Sequence, residues 1–399
     1  MQHNPVYLNQ LGMVCSLGND TQSVWQTLQQ ADAQPLMLSE QWTNRPVYVG
    51  EVRHGLPALE ALPEAQRSRN NQLLLCAWQQ LRESFETLSA NVSPERIGIV
   101  LGSSTSGIAE ACTTVENWHK YKVPASPTRY AIQEISAPAM TLADWTGAQG
   151  PAFVISTACS SGAKALASAR RLIQQDVCDV VIAGGVDSLA AMTLNGFDAL
   201  ESMSDGLCNP FGRDRDGINI GEGAAIFVMS KTPAAISLAG CGETSDAHHI
   251  SAPHPDGAGA IAAMTQALQD ADVAASNIDY INLHGTATEQ NDRMEAKAVY
   301  SVFGSEVPCS STKRLTGHTL GAAGAIEAGL CWLTLTEQTA LPPHRWDGNG
   351  DTELQPIQLT NGSLQQCENV QQPPRLALSN SFAFGGNNIS LIFERQHGH

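Results

Sequence analysis

The stretch "VISTACSSGAKALASARRL" at residues 154–172 joins a short apolar run to a helical pattern of small residues, with Cys159 at the junction. A β-branched run that ends in small polar residues before an alanine-rich helical pattern predicts a buried strand followed by a helix. The unpaired N–H groups and positive dipole end of a helix N-terminus lower the pKa of a nearby thiol. Cys159 is therefore either a small buried residue or a nucleophile, and the rest of the chain has to decide.

Five further stretches show the same order of apolar run, small or polar loop and helical segment. They are "IGIVLGSSTSG" (97–107), "DVVIAGGVDS" (179–188), "IDYINLHGTAT" (278–288), "VPCSSTKRLTGH" (307–318) and "RLALSNSFAFGG" (375–386). Short β-branched runs without alternation are typical of parallel strands covered on both faces. Two sets of three predict a duplicated, layered α/β fold whose crevice lies at the carboxyl ends of the strands. We divide the halves at residues 1–240 and 241–399.

Three segments fit this repeat poorly. Residues 20–95 and 108–150 carry helical patterns of their own and are predicted to be insertions. Residues 341–374 are rich in Pro, Gly and Asn and are predicted to be a surface excursion before the last strands.

Composition excludes several classes of protein. The chain has 22 Lys and Arg against 39 Asp and Glu, a formal net charge of −17, so it lacks the basic excess of a general nucleic-acid binder. Its ten cysteines form no CxxC pair, and neither a signal-peptide pattern nor an apolar run of membrane-spanning length is found. We expect a cytoplasmic protein with reduced thiols.

Two histidines and a glycine turn also follow predicted strands. His284 lies in "NLHGTAT", His318 lies five residues after Lys313 in "STKRLTGHTLGAAG", and "SFAFGGNN" spans 381–388. Each alone has an ordinary structural interpretation, as a hydrogen-bonded histidine or a turn of positive-φ glycines. Together with Cys159 they all fall where the crevice of an α/β fold lies. The conjunction favours a nucleophilic site.

Other chemistries find less support. His248, His249 and His254 lack carboxylates at ligand spacing, so no metal site is predicted. "GRDRDGINIGEG" (212–223) has neither the lysine of a P-loop nor the G-x-G-x-x-G order of a dinucleotide fold. "TACSSG" has cysteine where the G-x-S-x-G pattern of serine hydrolases has its serine.

Five ordered motifs resemble those of the elongating β-ketoacyl-acyl-carrier-protein synthases, the thiolase-fold condensing enzymes of fatty-acid and polyketide synthesis. The motifs are "STACSSGAKAL", "FGRDRDGINIGEGAAIF", "NLHGTAT", "STKRLTGHTLGAAGAIEA" and "SNSFAFGGNN". The resemblance runs from "LGMVCSLGND" to the last strand and so covers nearly the whole chain. It implies an α/β, thiolase-like, duplicated fold with α-β-α-β-α layers.

The resemblance also implies roles for individual residues. Cys159 matches the cysteine that takes the acyl chain, and His284 and His318 match the two histidines that face the malonyl thioester. Lys313 and Glu327 match a supporting charged pair. Further matches are Phe384 (gating phenylalanine), Asp292 (supporting), Thr286 and Thr288 (pantetheine contacts), and Phe382 and Thr105 (substrate binding, Thr105 near the acyl pocket by a loose alignment).

The implied reaction transfers an acyl chain to a thiolate and condenses it with malonyl after loss of CO₂. Two imidazole N–H donors would stabilise the enolate, and the backbone N–H groups of Cys159 and Phe384 would form an oxyanion hole, in which one donor is typically worth about 2.7–4 kcal/mol. The only cofactor chemistry implied is the phosphopantetheine of the acyl-carrier protein that carries the substrates; no metal or redox group is expected.

Partners also follow from the resemblance. The family is dimeric, so a homodimer, or a heterodimer with a second ketosynthase-like subunit, is expected, without nucleic acid or a membrane span. The acyl-carrier protein is acidic and needs a basic docking cluster. The candidates are Arg67, Arg69, Lys120, Lys122 and Arg129.

Two departures from the family pattern leave the pathway open. Asn387 stands where the family usually has threonine, and Asn291 replaces a glycine before Asp292. Housekeeping fatty-acid elongation and a specialised polyketide or polyene pathway both remain possible, and the sequence does not give the acyl chain length.

Other members of the fold offer alternatives. A non-catalytic chain-length factor typically replaces the cysteine, which this chain keeps. Degradative thiolases need a second cysteine near the C-terminus, and none follows Cys367. Initiating synthases pair Cys and His with Asn, whereas the third position here is His318.

Overall fold

A computed structural model describes residues 5–122, 130–364 and 373–396. The α-helices in these ranges are α1 (Thr21–Gln29), α2 (Arg69–Ser89), α3 (Ile108–Tyr121), α4 (Ala137–Thr146), α5 (Ser161–Gln174), α6 (Ala191–Ala199), α7 (Ala258–Ala271), α8 (Glu289–Phe303), α9 (Lys313–Thr316) and α10 (Ala323–Glu337). The strands are β1 (Tyr7–Cys15), β2 (Met37–Ser39), β3 (Val47–Gly50), β4 (Ile97–Gly102), β5 (Ala152–Ile155), β6 (Val180–Asp187), β7 (Ile220–Gly221), β8 (Gly223–Ser230), β9 (Ile236–Ser245), β10 (Tyr280–Asn282), β11 (Pro308–Ser310), β12 (Gln358–Leu359), β13 (Leu376–Ala383) and β14 (Asn387–Arg395).

The main sheet repeats one topology twice. Its strand order is β12-β11-β10-β13-β14-β9-β1-β8-β6-β4-β5. Five strands form the first half, and from the outer edge of the sheet to its centre they lie in the order β5, β4, β6, β8, β1. Five strands of the second half lie from the outside inwards in the order β11, β10, β13, β14, β9. Numbered by their place in the chain within each set, both halves therefore have the order third, second, fourth, fifth, first. In each set the second, third and fourth strands are mutually parallel, and the fifth pairs antiparallel with the fourth and the first. The predicted duplication is therefore present in the strand topology.

The parallel strands expected from the sequence make up three strands of each half. The six stretches predicted as strands form β4, β5, β6, β10, β11 and β13, which are parallel within each half. The strands β1 and β8 in one half and β9 and β14 in the other pair antiparallel and do not belong to the six predicted stretches. Among the described residues no helix directly follows β8 or β14, so these two strands lack the repeated pattern of strand, loop and helix. The strand that opens the second set, β9, begins at Ile236, and the division at 240/241 stays a prediction.

Helices α5 and α10 lie between the two halves of the sheet and pack directly on each other. Glycines permit the close approach: a Cβ on Gly162 would lie 2.8 Å from the Cβ of Ala325, and a Cβ on Gly324 would lie 2.8 Å from that of Ala163. The two contacts mirror each other, as expected for helices that occupy the same place in two copies of one unit. This pair forms the middle layer of the fold.

The outer layers complete the α-β-α-β-α arrangement. Helices α2 and α4 cover the first half of the sheet, and α7 and α8 cover the second. Strand residues alternate between the layers: in β6, Val181 and Ala183 face the middle helices, whereas Val180 and Ile182 face the outer ones. Strands buried on both faces have apolar residues at every position, which explains the uninterrupted apolar runs in the sequence.

The segments that interrupt the repeat are placed mostly as expected. Residues 20–95 contain α1 and α2, residues 108–150 contain α3 and α4, and the short sheet β2-β3-β7 packs beside the main one. The stretch 341–374 is not a surface excursion at its start, because Leu341 and His344 are buried and β12 pairs with β11. In the described residues, no helix is both long and apolar enough to cross a membrane.

Candidate active site

Cys159 lies in a tight turn between β5 and α5, as the sequence predicts. Ala158 has φ +52°, the left-handed region that non-glycine residues rarely adopt, and the Thr157 N–H donates to the Ser161 hydroxyl at 2.8 Å. Strained backbone of this kind persists only where surrounding contacts hold it. The turn keeps the thiol at the end of the strand, with 7% of the residue exposed.

His318 contacts the thiol directly. Its Nε2 is 2.9 Å from the Cys159 Sγ, and its Nδ1 accepts the backbone N–H of Leu320 at 3.2 Å. Because Nδ1 accepts, the ring proton of the neutral imidazole is on Nε2, which therefore donates toward the sulfur. The backbone of Leu320 holds this tautomer from a left-handed conformation, with φ +53°.

His284 completes a compact cluster with these two residues. The two imidazole rings have centroids 5.5 Å apart and are almost perpendicular, and ring nitrogens of both histidines and the Cys159 sulfur all lie within 4.8 Å of one another. The loop that carries His284 is anchored by buried Glu295, which accepts the N–H groups of His284 at 2.8 Å and Gly285 at 2.7 Å. Glu295 is not among the residues predicted from the sequence, although a glutamate nearly two turns into α8 is placed to reach back to the preceding loop.

Lys313 and Glu327 form a buried ion pair behind the histidines. The Lys313 ammonium also donates to the His284 carbonyl oxygen at 2.5 Å. Burial raises the pKa of Glu327 to about 7, against the lowering effect of Lys313, and burial likewise raises the pKa of Glu295 to about 7. Lys313 therefore contacts both Glu327 and the loop that carries His284.

The pKa of the thiol differs from the expectation. Burial raises the pKa of Cys159 to about 11, although the positive charge of Lys313 and the N–H groups of Phe384 and Cys159 lower it. The predicted lowering at a helix N-terminus was wrong, because desolvation outweighs the donors. Burial also lowers the pKa of both His284 and His318 well below the usual value, with the charge of Lys313 acting in the same direction. The resting site therefore holds a neutral thiol and two neutral imidazoles.

Phe384 lies in the turn between β13 and β14. Gly385 and Gly386 have φ of +82° and +74°, which the glycine pair in "SFAFGGNN" supplies without strain. The Phe384 N–H faces the Cys159 sulfur and acts to lower the pKa of the thiol, and the Phe384 ring packs against Phe197 with centroids 5.9 Å apart. Two backbone N–H groups, those of Cys159 and Phe384, therefore converge on the sulfur.

A cavity of about 400 Å³ opens onto the cluster. Cys159, His284 and His318 line it together with Phe382 and Phe384. Thr286 and Thr288 also line the cavity, with hydroxyl oxygens 3.0 Å apart. All of these positions were singled out from the sequence.

Thr105 lies elsewhere. It does not line the described cavity, and its hydroxyl donates to buried Asp187 at 2.7 Å. Asp187 also accepts the N–H of Ser104 at 2.9 Å and that of Gly321, three residues after His318, at 2.6 Å. Asp187 thus ties the loop after β4 to the loop of His318. A carboxylate at the end of an apolar run, as in "DVVIAGGVDS", is the signal that could have revealed it.

Asp292 is buried in the first turn of α8, and its carboxylate accepts hydrogen bonds from the backbone of two neighbouring loops. It accepts the N–H groups of Phe211 at 2.7 Å and Ala287 at 3.2 Å, and the amide of Asn291 at 3.1 Å. Burial raises its pKa, against the lowering effect of these donors. Asn291, where the family has glycine, uses its side chain on this carboxylate and also lines the cavity.

The predicted docking residues separate into three groups. Arg69 is committed to buried Glu222 and to the Val52 carbonyl oxygen, both at 2.5 Å, so it does not present a free charge. Arg67 is exposed and donates to the Leu62 carbonyl oxygen at 2.9 Å. Lys120 and Lys122 are exposed at the end of α3, and Arg129 lies outside the described residues.

Comparison with known proteins supports the same class. Residues 4–235 match the family model of the beta-ketoacyl synthase N-terminal domain, and residues 236–345 match that of its C-terminal domain. The 3-oxoacyl-[acyl-carrier-protein] synthase 2 of Synechocystis sp. is 29% identical over 423 residues, covering 99% of both chains. A chain from the complex of the ketosynthase ApeO with its chain length factor ApeC, from Xenorhabdus doucetiae, is 42% identical, with TM-score 0.91 and 98% of both chains covered.

A β-ketoacyl synthase from Burkholderia phymatum is 25% identical, with TM-score 0.87, and the match covers 99% of this chain and 100% of that one. A duplicated thiolase-like fold with a cysteine and two histidines around one cavity is the architecture of the condensing enzymes. The chain belongs to the β-ketoacyl synthase family. The resemblance inferred from the five sequence motifs is confirmed.

Proposed function

We propose that this protein is a β-ketoacyl-acyl-carrier-protein synthase that loads an acyl chain on Cys159 and condenses it with malonyl carried on an acyl-carrier protein. One observation carries the proposal: the Cys159 thiol and the rings of His284 and His318 line one cavity of about 400 Å³. In it the His318 Nε2 is 2.9 Å from the Cys159 sulfur. Whole-length relatives named 3-oxoacyl-[acyl-carrier-protein] synthase 2 support the same reaction.

The first step is acyl transfer. The Cys159 sulfur bonds to the thioester carbonyl carbon, the bond from that carbon to the carrier sulfur breaks, and the thiol proton leaves with the carrier thiolate. The developing oxyanion sits between the N–H groups of Cys159 and Phe384. Because His318 is neutral with its proton on Nε2, it acts as a donor at this stage and not as the base.

The second step is decarboxylative condensation. The bond between the malonyl methylene and its carboxylate breaks, CO₂ leaves, and the electron pair forms an enolate that the N–H donors of His284 and His318 stabilise. The enolate carbon bonds to the acyl carbonyl carbon, the bond to Cys159 breaks, and the released thiolate takes a proton from water. Lys313, through the His284 carbonyl oxygen, keeps the His284 ring in place. No metal ion or redox cofactor takes part in this proposal.

Partners are assigned on the same basis. Thr286 and Thr288 line the cavity and are proposed to contact the pantetheine arm of the carrier. Exposed Arg67, Lys120 and Lys122 remain as candidates for docking the acidic carrier protein. Arg69 is no longer a candidate, because it forms an ion pair with buried Glu222. A cytoplasmic location is proposed with this function.

A two-subunit assembly is also proposed. None of the residues of α3 is buried in the single chain, and α3 presents Val115, Trp118 and Tyr121 to the outside. The 42% identical chain comes from a complex of a ketosynthase with its chain length factor, which supports a second, ketosynthase-like subunit. A specialised polyketide or polyene pathway is proposed with this assembly. The chain-length-factor role itself is not favoured for this chain, because it keeps Cys159 and both histidines.

The test is covalent loading of Cys159. The protein is incubated with acyl-carrier thioesters of varied length and type, and intact mass is read for wild type, Cys159→Ala and Cys178→Ala. Cys178 is buried beyond the end of α5 and outside the cavity lining, so its variant is the matched control. An adduct on wild type and the control but not on Cys159→Ala is expected, and the preferred acyl group identifies the pathway. No adduct from any donor would contradict the proposal and favour a partner-subunit role.

A further inference from the structure

The turn that carries Phe384 is held on its outer side by the loop after β9. The Gly385 N–H donates to the Ile250 carbonyl oxygen at 2.8 Å, and the Gly386 carbonyl oxygen accepts the Asp246 N–H at 2.8 Å. These two backbone bonds fix the tip of the turn. The other end of the turn lies next to α5, the helix that follows Cys159.

The other end is held by a side-chain contact. The Lys164 ammonium donates to the Asn387 Oδ1 at 3.1 Å. Lys164 lies on α5 five residues after Cys159, and Asn387 begins β14 three residues after Phe384. The helix that starts beside the thiol and the turn whose N–H reaches that thiol are therefore joined at a second point.

The surroundings favour Asn387 as the partner of Lys164. Glu243 is 3.9 Å from the Lys164 ammonium, but it already forms a close ion pair with Arg171. The Lys164 side chain is only 16% exposed, so its contact with Asn387 is shielded from water. Asparagine also carries its acceptor oxygen one bond further from the backbone than threonine, the residue usual at this place in the family, and so extends toward the lysine.

We propose that Lys164 and Asn387 are positioning residues that hold the Phe384 N–H on the Cys159 sulfur and thereby set the rate of acyl transfer. The inference rests on the proposed function. The Phe384 N–H serves the oxyanion of the acyl thioester, whereas the enolate donors belong to loops held by other groups. Loss of the Lys164–Asn387 contact therefore slows acylation and leaves the decarboxylation of malonyl unchanged.

The experiment compares the two half-reactions. Acylation of Cys159 by an acyl-carrier thioester is followed by intact mass, and CO₂ release from malonyl-acyl-carrier protein is followed without an acyl donor. Lys164→Met and Asn387→Ala should each slow acylation about 10- to 100-fold, the range expected when a catalytic donor is misplaced by up to an ångström. The rate of CO₂ release should match that of wild type, which a general structural defect would not allow.

Three further variants make the test specific. Asn387→Asp keeps an acceptor of the same length and should restore acylation, and the double variant Lys164→Met/Asn387→Ala should be no slower than either single variant. Glu243→Gln disturbs Arg171 but leaves the 3.1 Å contact and should acylate normally.

The proposal is overturned if the single variants acylate at the wild-type rate, if their losses add in the double variant, or if both half-reactions slow equally. A wild-type protein that accepts no acyl group at all would instead contradict the proposed function.

Discussion

The Cys159 thiol is neutral at physiological pH, and its reactivity depends on the small thiolate fraction that the site permits. Burial sets its pKa at about 11, and Lys313 and two N–H groups only partly offset that burial. A raised thiol pKa trades thiolate population for intrinsic nucleophilicity, because a more basic thiolate attacks carbonyl carbon faster. The N–H groups of Cys159 and Phe384 then stabilise the oxyanion that forms when the thiolate attacks the thioester.

This pKa predicts the pH dependence of alkylation. Below a pKa of about 11 the thiolate fraction rises about tenfold for each pH unit, so the rate at which iodoacetamide labels Cys159 should rise about tenfold per unit between pH 7 and pH 9. The rate is measured by mass spectrometry of the peptide that contains Cys159. A rate that is already level at pH 7 would mean that the donors outweigh burial, contrary to this prediction.

At the residue scale the sequence revealed the reacting groups better than the groups that hold them. Cys159, His284 and His318 could be predicted because each follows an apolar strand in a recognisable loop. Asp187 was missed because it accepts N–H groups of two loops that lie far away in the sequence, those of Ser104 and Gly321. Glu295 was missed although the loop that it holds directly precedes its own helix. The direction of the thiol pKa was also missed, since desolvation depends on how the whole site is enclosed.

At the element scale, the packing of α5 on α10 positions the nucleophile. Gly162→Ala or Gly324→Ala would place a methyl group 2.8 Å from a neighbouring Cβ, so we expect each to destabilise the fold by about 1–3 kcal/mol and to reduce acylation of Cys159. The free energy of unfolding is measured by urea denaturation.

A matched glycine serves as the control for this prediction. Gly196 lies inside α6 with no heavy atom within 4 Å of a built Cβ, so Gly196→Ala should stabilise the fold by about 0.5–1 kcal/mol. Equal effects at Gly162 and Gly196 would show that helix propensity, and not the contact between α5 and α10, decides the outcome.

The segment that follows α10 is tied to the site loops by His344. Its Nδ1 accepts the Ser311 N–H at 3.1 Å and its Nε2 donates to the Pro210 carbonyl oxygen at 3.0 Å. Burial lowers its pKa from 6.5 to about 4, and the folded state therefore binds fewer protons than the unfolded state between these values. Stability from this residue is complete above pH 6.5 and is lost as the pH falls toward 4.

A variant isolates this contribution. We expect the acid-induced loss of stability between pH 7 and pH 4 to be about 3 kcal/mol smaller in His344→Gln than in wild type, from a pKa shift of about 2.5 units. Urea denaturation at several pH values measures it. The lowered pKa values of His284 and His318 contribute equally to wild type and variant and therefore cancel in the comparison. If the free energy of unfolding falls with pH by the same amount in both proteins, the assignment to His344 is contradicted.

The elements themselves were predictable to different degrees. Strands with uninterrupted apolar runs and a following helix could be located, because burial on both faces leaves a clear pattern. Short pieces such as β2, β7 and β12 could not, since two or three residues carry no period. The buried start of the 341–374 stretch was missed because its prolines and glycines indicate loop without indicating where the loop packs.

For the whole molecule, the unburied helix α3 predicts association. Trp118 is 49% exposed beside Val115 and Tyr121, and buried tryptophans at interfaces commonly contribute at least about 2 kcal/mol, or about 30-fold in dissociation constant. Trp118→Glu should therefore weaken self-association, or association with a second ketosynthase-like chain, by about that factor. Sedimentation velocity over a concentration series measures it.

Tyr300→Glu is the control for surface charge, because Tyr300 is 41% exposed on α8, in the outer layer of the second half. It should leave the dissociation constant unchanged. An unchanged constant for Trp118→Glu would place the interface elsewhere.

The duplication was visible in the sequence only as repeated strand and loop patterns, and the identical strand order could not be derived from them. Antiparallel pairing of the fifth strand with the first depends on which edges remain free once the parallel strands have assembled. That is a property of the folded halves and not of any local segment.

The middle layer also imposes an order in time on the newly made chain. Helix α10 leaves the ribosome roughly 160 residues after α5, which at typical translation speeds is about 8–30 s. For that interval the first half exists with the alanine-rich face of α5 uncovered. The nascent protein is most in need of a chaperone in this window, before the second half arrives to close over the helix that bears the nucleophile.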